Sequence, residues 1–493
     1  MNGLIRKAAR VDQPHLGRLI FSILSGFLLG AFVLVIFRLP MKFTYFFIGG
    51  PIVFFIAIIT GHFKRFFQAL LIFIIPLNFA THFFRRPYLF GEKGLVFSPL
   101  DIVLILLYLV WFYELLLKRT ENSHLFPAIT IPGFILVGVG LLGMLVASDP
   151  YFTLFESVEI LKSVLLFLYV ANHVQNRRNI HAMVTIILIS LFLQSVIAMS
   201  QKWLGVSLGL HLFGEYQQQT TFTLTHDYYL TVARVGGTIG HPNNLAKYVE
   251  LLIPLSAVLL FTKMKLRNKM ASAVVFVCAF IVLIITLSRG GWVCFAGSMG
   301  LVLLLVFRAR LINLRTLVAI AVVAAILMGA TMGLSGMVTS RLFGDDYGAA
   351  HGRIPLNRIA MNVIRANPLL GVGAQNYWMV MNRYNPNVAT MKVNIVHNAY
   401  LLTAAEMGLI GLAVFVWLMA AVFRLGIRNL SLDDVYIKSM NIGIVAGLSA
   451  LWAHWMVDPG YPGRTPVMWV LAALIVASPR VFRAEQKISA AAR

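Results

Sequence analysis

Three short stretches carry the residue types that chemistry on an anionic, hydroxyl-bearing substrate would need. In Thr286-Leu-Ser-Arg-Gly-Gly-Trp292, Arg289 sits in a turn between two strongly apolar segments that is too short to hide a guanidinium. Arginine suits a phosphate because its planar fork donates two hydrogen bonds at once. The plainer reading is an interfacial arginine reaching lipid headgroups. Gly352-Arg-Ile-Pro-Leu-Asn-Arg-Ile-Ala360 supplies Arg353 and Arg358, with Arg365 about two helical turns after Arg358 and Asn367-Pro-Leu-Leu-Gly-Val-Gly373 after it. Val396-His-Asn-Ala-Tyr400 then places His397 and Asn398 at the head of a long apolar run. The positive end of a helix dipole disfavours imidazolium and keeps such a histidine available as a base. Taken alone, His397 is more often only a polar residue at a helix start. A fourth stretch, Gly237-Thr-Ile-Gly-His-Pro-Asn-Asn-Leu-Ala246, is a turn in which Asn243 or Asn244 can cap the following helix and leave its backbone N–H groups facing an anion.

The elements that must position these groups are membrane spans. Of the 493 residues, 59% are hydrophobic and 12% charged, where a soluble domain carries roughly a quarter charged. Apolar stretches long enough to cross a hydrocarbon core recur at about 19–37, 44–61, 66–80, 101–117, 128–148, 155–173, 180–200, 245–262, 270–287, 292–307, 317–335, 398–422, 439–457 and 465–479. The expected fold is therefore an all-α polytopic membrane protein of about fourteen spans, with twelve or thirteen still possible. With both termini cytoplasmic, every inner segment holds at least two basic residues, as the orientation rule requires. The same sorting by side accounts for the excess of 41 Lys and Arg over 18 Asp and Glu without nucleic acid. The polar, basic residues 1–18 precede a run long enough to span, so no cleaved leader is expected. Cys278 and Cys294 both lie in apolar runs, which supports neither a disulfide framework nor a cysteine-based metal site.

This divides the chain into spans 1–7 (residues 1–200), an outer loop (201–244), spans 8–11 (245–335), an outer cap loop (336–396), and spans 12–14 with a cytoplasmic tail (397–493). The cap loop is a large extracytoplasmic segment with a helix in its middle, where Ile359, Val363 and Ile364 fall at helical spacing. Its Arg341, Arg353, Arg358, Arg365, Arg383 and Lys392 face only Asp345 and Asp346, so its expected guest is anionic. Within spans, Glu159 with Lys162 and Lys247 with Glu250 are spaced to pair on their own helices. Glu406, one of the buried carboxylates that are functional by default, has His454 as a possible partner.

Together the stretches resemble the O-antigen ligase and polymerase superfamily. His397-Asn-Ala-Tyr-Leu-Leu-Thr-Ala-Ala-Glu-Met-Gly-Leu-Ile-Gly411 looks like its signature of His, a small amide or hydroxyl residue, nine variable positions, Gly, two more and a small residue. Ser288-Arg-Gly-Gly291 resembles its Ser-Arg-Gly turn. Gly240-His-Pro-Asn-Asn-Leu-Ala246 resembles its Gly-Asn-Pro-Asn turn, with His241 for the commoner Asn, and 353–373 resembles its arginine-bearing cap helix. The family helix usually carries Trp where this chain has Asn357; Arg353 holds the leading motif position and is preferred to Arg358. The resemblance implies a GT-C-like helical membrane fold in the bacterial cytoplasmic membrane, with its site on the outer face. It also implies a metal-independent inverting glycosyltransferase that needs no cofactor. The partners implied are an undecaprenyl-diphosphate-linked glycan, an acceptor glycan or lipid, and membrane lipids. His397, Arg289 and Arg353 would be catalytic. Arg358, Arg365, Asn243, Asn244 and Asn398 would bind substrate. The aromatic residues Trp203, Tyr216, Tyr228 and Tyr229 would meet sugar faces. The alternative from another class is a transporter of a small anion such as bicarbonate, although no paired internal repeat of the kind transporters show is evident.

Overall fold

A computed structural model describes residues 61–88, 91–117, 129–216, 219–225, 228–312, 352–386 and 394–491, with Pro127 and several positions between 50 and 59. The expected spans at 19–37 and 317–335, Arg341 and Lys392 lie outside the described residues, as do the acids Asp345 and Asp346. Contacts divide the chain into two units, 1–67 and 68–493. The described residues of the first are largely helical, and the second holds everything discussed below.

The helices in chain order are α1 (Phe63–Phe73), α2 (Pro99–Leu116), α3 (Thr130–Leu142), α4 (Pro150–His173), α5 (Arg177–Leu204), α6 (Pro242–Leu259), α7 (Leu266–Ile285), α8 (Arg289–Arg308), the cap helix α9 (Arg353–Ala366), the short α10 (Tyr377–Val380), α11 (Ala399–Arg428), α12 (Val435–His454) and α13 (Pro466–Ala491). Each expected span from the fourth to the tenth, and each of the last three, is a helix at its expected place. Among the described residues, seven helices are long and apolar enough to cross a membrane. α4 and α6 fall outside that number, α4 carrying Glu156, Glu159 and Lys162, and α6 carrying Lys247 and Glu250 beside the polar start Pro242-Asn-Asn244. The third expected span is shorter than its apolar run, because the helix ends at Phe73 and the chain turns through Pro76.

Two β-hairpins join the otherwise helical fold. β1 (Thr81–Tyr88) pairs antiparallel with β2 (Gly91–Phe97), and β3 (Gln219–Thr225) with β4 (Tyr228–Arg234). Both lie between spans, where β-branched and aromatic residues bounded by turns favour strand pairing over helix. A reading built on long apolar runs passes over segments of this length.

Burial sorts the helices. In the most apolar window of α2, α7, α8 and α11 only 28% of residues are buried, against 83% in α12. α12 is thus the central post, packed chiefly on α6 and α8, and the others turn leucine, valine and phenylalanine outward, as helices facing lipid do. At one end of the bundle the start of α5 is tied to the start of α12 and the end of α13: Arg177 Nη1 lies 2.6 Å from Asp434 and 3.6 Å from Glu485. The opposite end carries the candidate site.

The cap helix forms as its periodicity predicts. Leu356, Ile359, Ala360, Val363 and Ile364 are buried, packing with Tyr377, Val396, Leu402 and Ala405 at the head of α11. The segment after it is stitched into a break in α11. Gly408 has φ 69° and ψ −179° inside the helix, Val372 N–H donates to Ala405 O at 3.0 Å, and Leu409 N–H donates to Pro368 O at 2.7 Å. The backbone groups freed by the break are thus taken up by the cap.

Candidate functional site

Four helix termini converge: the starts of α6, α8 and α11 and the end of α12. Ala399 N–H donates to Trp455 O at 2.8 Å, joining the head of α11 to the turn that leaves α12. A Cβ at Gly290 would lie 2.9 Å from His454 Nε2, so the start of α8 rests directly on α12. The imidazole of His454 is itself held 2.9 Å from Glu250 of α6 in a fully buried pair.

His397 is a third exposed, and its Nδ1 faces Asp458 Oδ1 across 3.9 Å. That is too long for a hydrogen bond, and Nδ1 is buried with no hydrogen-bond partner among the described residues. Asp458 is fixed from its other side: Lys247 Nζ donates to Oδ2 at 2.6 Å and to Pro459 O at 3.1 Å, and Asn243 Nδ2 reaches Oδ1 at 3.4 Å. Burial alone would raise the Asp458 carboxyl, but the facing His397 and Lys247 outweigh it and hold it well below the usual carboxylate range. Asp458 is therefore a permanent anion beside a histidine. Sequence reasoning missed it because it lies on a loop with no motif spacing to His397. It also assigned Lys247 to Glu250; instead each reaches a different partner on the α12 side.

Arg234, the last residue of β4, was also missed. Its Nε donates to Thr286 O at 2.8 Å and its Nη2 to Asn243 Oδ1 at 2.8 Å, strapping the α6 start to the turn that carries Arg289. Ser288 caps α8, and its Oγ accepts from Gly291 N–H, which fixes the direction in which Arg289 leaves the turn. The cap of α6 is His241 rather than either asparagine: Asn243 N–H donates to His241 Nδ1 at 3.1 Å. Burial, then the nearby Arg234, Lys247 and His397 against Asp458, holds the His241 imidazole below its ordinary value and therefore neutral.

The structure thus brings His397 and Asn243 together, with Arg289 on the adjoining turn. Asn398 Oδ1 accepts from Tyr400 N–H and Leu401 N–H at 2.9 and 3.0 Å, so it caps α11. Asn244 is exposed in the first turn of α6. Arg353 is half-buried at the first position of α9, while Arg358 and Arg365 are exposed on it. Trp203 and Tyr216 are largely exposed beside the 201–216 loop.

A second polar cluster lies on the same loop as Asp458, six residues on. Glu156 Oε2 accepts from Arg464 Nε at 2.9 Å, Arg464 Nη2 at 2.7 Å and Gln375 Nε2 at 3.0 Å. Lys93 of β2 donates to Gln375 Oε1, and Tyr461 Oη donates to Glu406 at 3.3 Å. Glu406 is thus partnered by Tyr461, and His454 by Glu250. Glu159 and Lys162 do pair on their own helix, at 2.7 Å.

The turn with Arg289, the cap segment and His397 fall together inside one comparison. Residues 274–416 match the family model of the O-antigen ligases. The match supports the likeness to the O-antigen ligase and polymerase superfamily that the motifs carry, and with it a polysaccharide ligase or polymerase role at the level of the family. The 237–246 turn and Asp458 lie outside the matched residues. No curated protein matches the chain. Within the signature, the structure gives the spaced glycine a physical meaning: it is Gly408, whose backbone only glycine adopts without strain.

Proposed function

We propose that this O-antigen ligase family protein transfers a glycan from undecaprenyl diphosphate to an acceptor hydroxyl at the outer face of the cytoplasmic membrane, as an inverting glycosyltransferase. The observation that carries this reading is the His397–Asp458–Lys247 series. A permanently ionised Asp458 turns His397 so that Nδ1 carries the proton and Nε2 is offered as a base, the logic of any base steadied by a third group. The 3.9 Å gap closes as the imidazole gains charge; such contacts are often long before substrate binds.

In the reaction His397 Nε2 takes the proton of the acceptor hydroxyl as its oxygen attacks the anomeric carbon from the face opposite the diphosphate. The carbon–oxygen bond to the diphosphate breaks, and undecaprenyl diphosphate leaves with both electrons. Arg289 and Arg353, aided by Arg358, neutralise the leaving charge, so no divalent ion is required. The outward apolar faces of the helices meet the polyprenyl tail. Arg365, Asn244, Trp203 and Tyr216 face the glycan.

His397→Ala in a purified assay should abolish transfer while leaving expression and folding intact; transfer at the parent rate would reject the base assignment. A lipid-linked repeat supplied alone separates the two family activities. We expect a ladder, the mark of a polymerase; transfer only to a second acceptor marks a ligase. Anion uptake by vesicles, unaffected by loss of His397, would instead support transport.

A further inference from the structure

Resting on that reading, we propose that Glu406 and Tyr461 are positioning residues: their hydrogen bond fixes the loop that aims Asp458 at His397. Glu406 and His397 belong to one stretch of chain, Tyr461 and Asp458 to another, so the two pairs are rungs between the same two segments.

Asp458 is bracketed by fastenings to α11. Before it, at the end of α12, Tyr400 Oη donates to Trp452 O and Ala399 N–H donates to Trp455 O, both at 2.8 Å. Beyond it, Tyr461 Oη donates to Glu406 Oε1 at 3.3 Å. Lys247 and Asn243 also hold Asp458, but both belong to α6 and set nothing about its distance from α11. The 3.9 Å between Asp458 and His397 is therefore a distance that Tyr461 can set.

The loop has little slack. Glu406 lies seven residues after Ala399 at the start of α11, about 10 Å along a helix rising roughly 1.5 Å per residue. The three steps from Asp458 to Tyr461 reach at most about 11 Å when fully extended. Between them, Pro459 O accepts from Lys247 at 3.1 Å, and a Cβ at Gly460 would collide with Trp455 Nε1, so the backbone there lies against the indole. Glu406 is fixed in turn: it accepts from the backbone N–H groups of Gln375 and Tyr377 and stands two residues before the break at Gly408. The cap segment, the helix that follows His397 and the loop that carries Asp458 thus meet at one carboxylate. Burying that carboxylate to 3% exposure costs stability that an apolar side chain would not. The Tyr461 ring packs against the cap core by itself; what the hydroxyl and the carboxylate add is direction.

The test uses the full chain in detergent with an undecaprenyl-diphosphate-linked repeat as donor. Tyr461→Phe removes one oxygen, keeps the ring and leaves Glu406 its two backbone donors, so the variant should fold. Its kcat should fall about tenfold with donor KM within about twofold of the parent, because moving the partner of the base costs rate and not donor binding. The deciding measurement is a cycle with Lys247→Met/Asp458→Asn, where no carboxylate remains to be aimed. In that background Tyr461→Phe should change kcat by less than about twofold. The same tenfold factor in both backgrounds would show that Tyr461 acts apart from Asp458 and would overturn the proposal, as would a parental kcat in Tyr461→Phe. If Lys247→Met/Asp458→Asn itself keeps the parental kcat, Asp458 leaves the mechanism and the proposal falls with that reading rather than on its own test. Glu406→Gln keeps an acceptor for the hydroxyl in a neutral, weaker bond. Its kcat should lie between those of the parent and Tyr461→Phe, and it should lose its effect in the same background. That second cycle decides the matter where Tyr461→Phe does not fold, and an undiminished effect there overturns the proposal equally.

Discussion

A Cβ placed at Gly408 would lie 1.9 Å from the carbonyl oxygen of Leu369, so the break in α11 and the loop after the cap helix fit only with glycine at that position. The φ of 69° with extended ψ is a region essentially closed to other residues. Gly408→Ala combines that strain, about 1–3 kcal/mol, with a clash against backbone that cannot move aside. We expect a Tm well below the parent and faster proteolysis in the 367–376 segment. A Tm unchanged by the substitution would mean that the cap is not anchored through this break.

Asp458 and Lys247 are predicted to separate stability from catalysis. Either partner left alone is a nearly buried charge without its counter-ion, which costs roughly 3–5 kcal/mol. Asp458→Asn and Lys247→Met should each lower Tm, and Lys247→Met with Asp458→Asn should recover most of it. Activity should not recover, because the asparagine cannot stabilise an imidazolium at His397. In the double variant kcat should stay down by about 100-fold, within the 10²–10⁴ span typical of general acid–base assistance, with donor KM little changed. A double variant of parental kcat would remove Asp458 from the mechanism.

How much of this was legible beforehand depends on the kind of signal. Apolar run length located α2 to α8 and α11 to α13, because lipid enforces it residue by residue. The helix in the cap was legible from Ile359, Val363 and Ile364, and the placement of Arg289 and His397 at helix starts from the apolar runs that follow them. Asp458 and Arg234 were not legible: each is a single charged residue in a connection, and what gives it meaning is a partner far away in sequence that only the converging helix ends bring near. The same cause misassigned Lys247 and Glu250, where helical spacing predicts a local pair and the neighbouring α12 offers better ones. The hairpins escaped because a span-sized window averages out seven- or eight-residue strands.

The proposed chemistry places leaving-group stabilisation on Arg289 and Arg353. Transfer by the purified protein should therefore proceed at the parent rate in EDTA. A loss restored by added Mg²⁺ or Mn²⁺ would shift that role from Arg289 and Arg353 to an ion carried by the diphosphate.

Lys93 should make the stability of the chain depend on pH in a stated direction. Burial, and then the neighbouring Arg464, against Glu156 and Glu406, bring its ammonium down to about 7. In the unfolded chain it returns to the ordinary lysine value, near 10.4. Between these two pH values the unfolded chain holds a proton that the folded one has released, so stability rises with pH across that window and falls as pH drops through about 7. A neutral amine still donates to Gln375 Oε1, so the bond that ties β2 to the Glu156 cluster survives the titration. Lys93→Met removes the titrating group and should flatten the rise in Tm between pH 7 and 10 in detergent. An equally steep rise in the variant would assign the effect to another group and leave Lys93 charged in the fold.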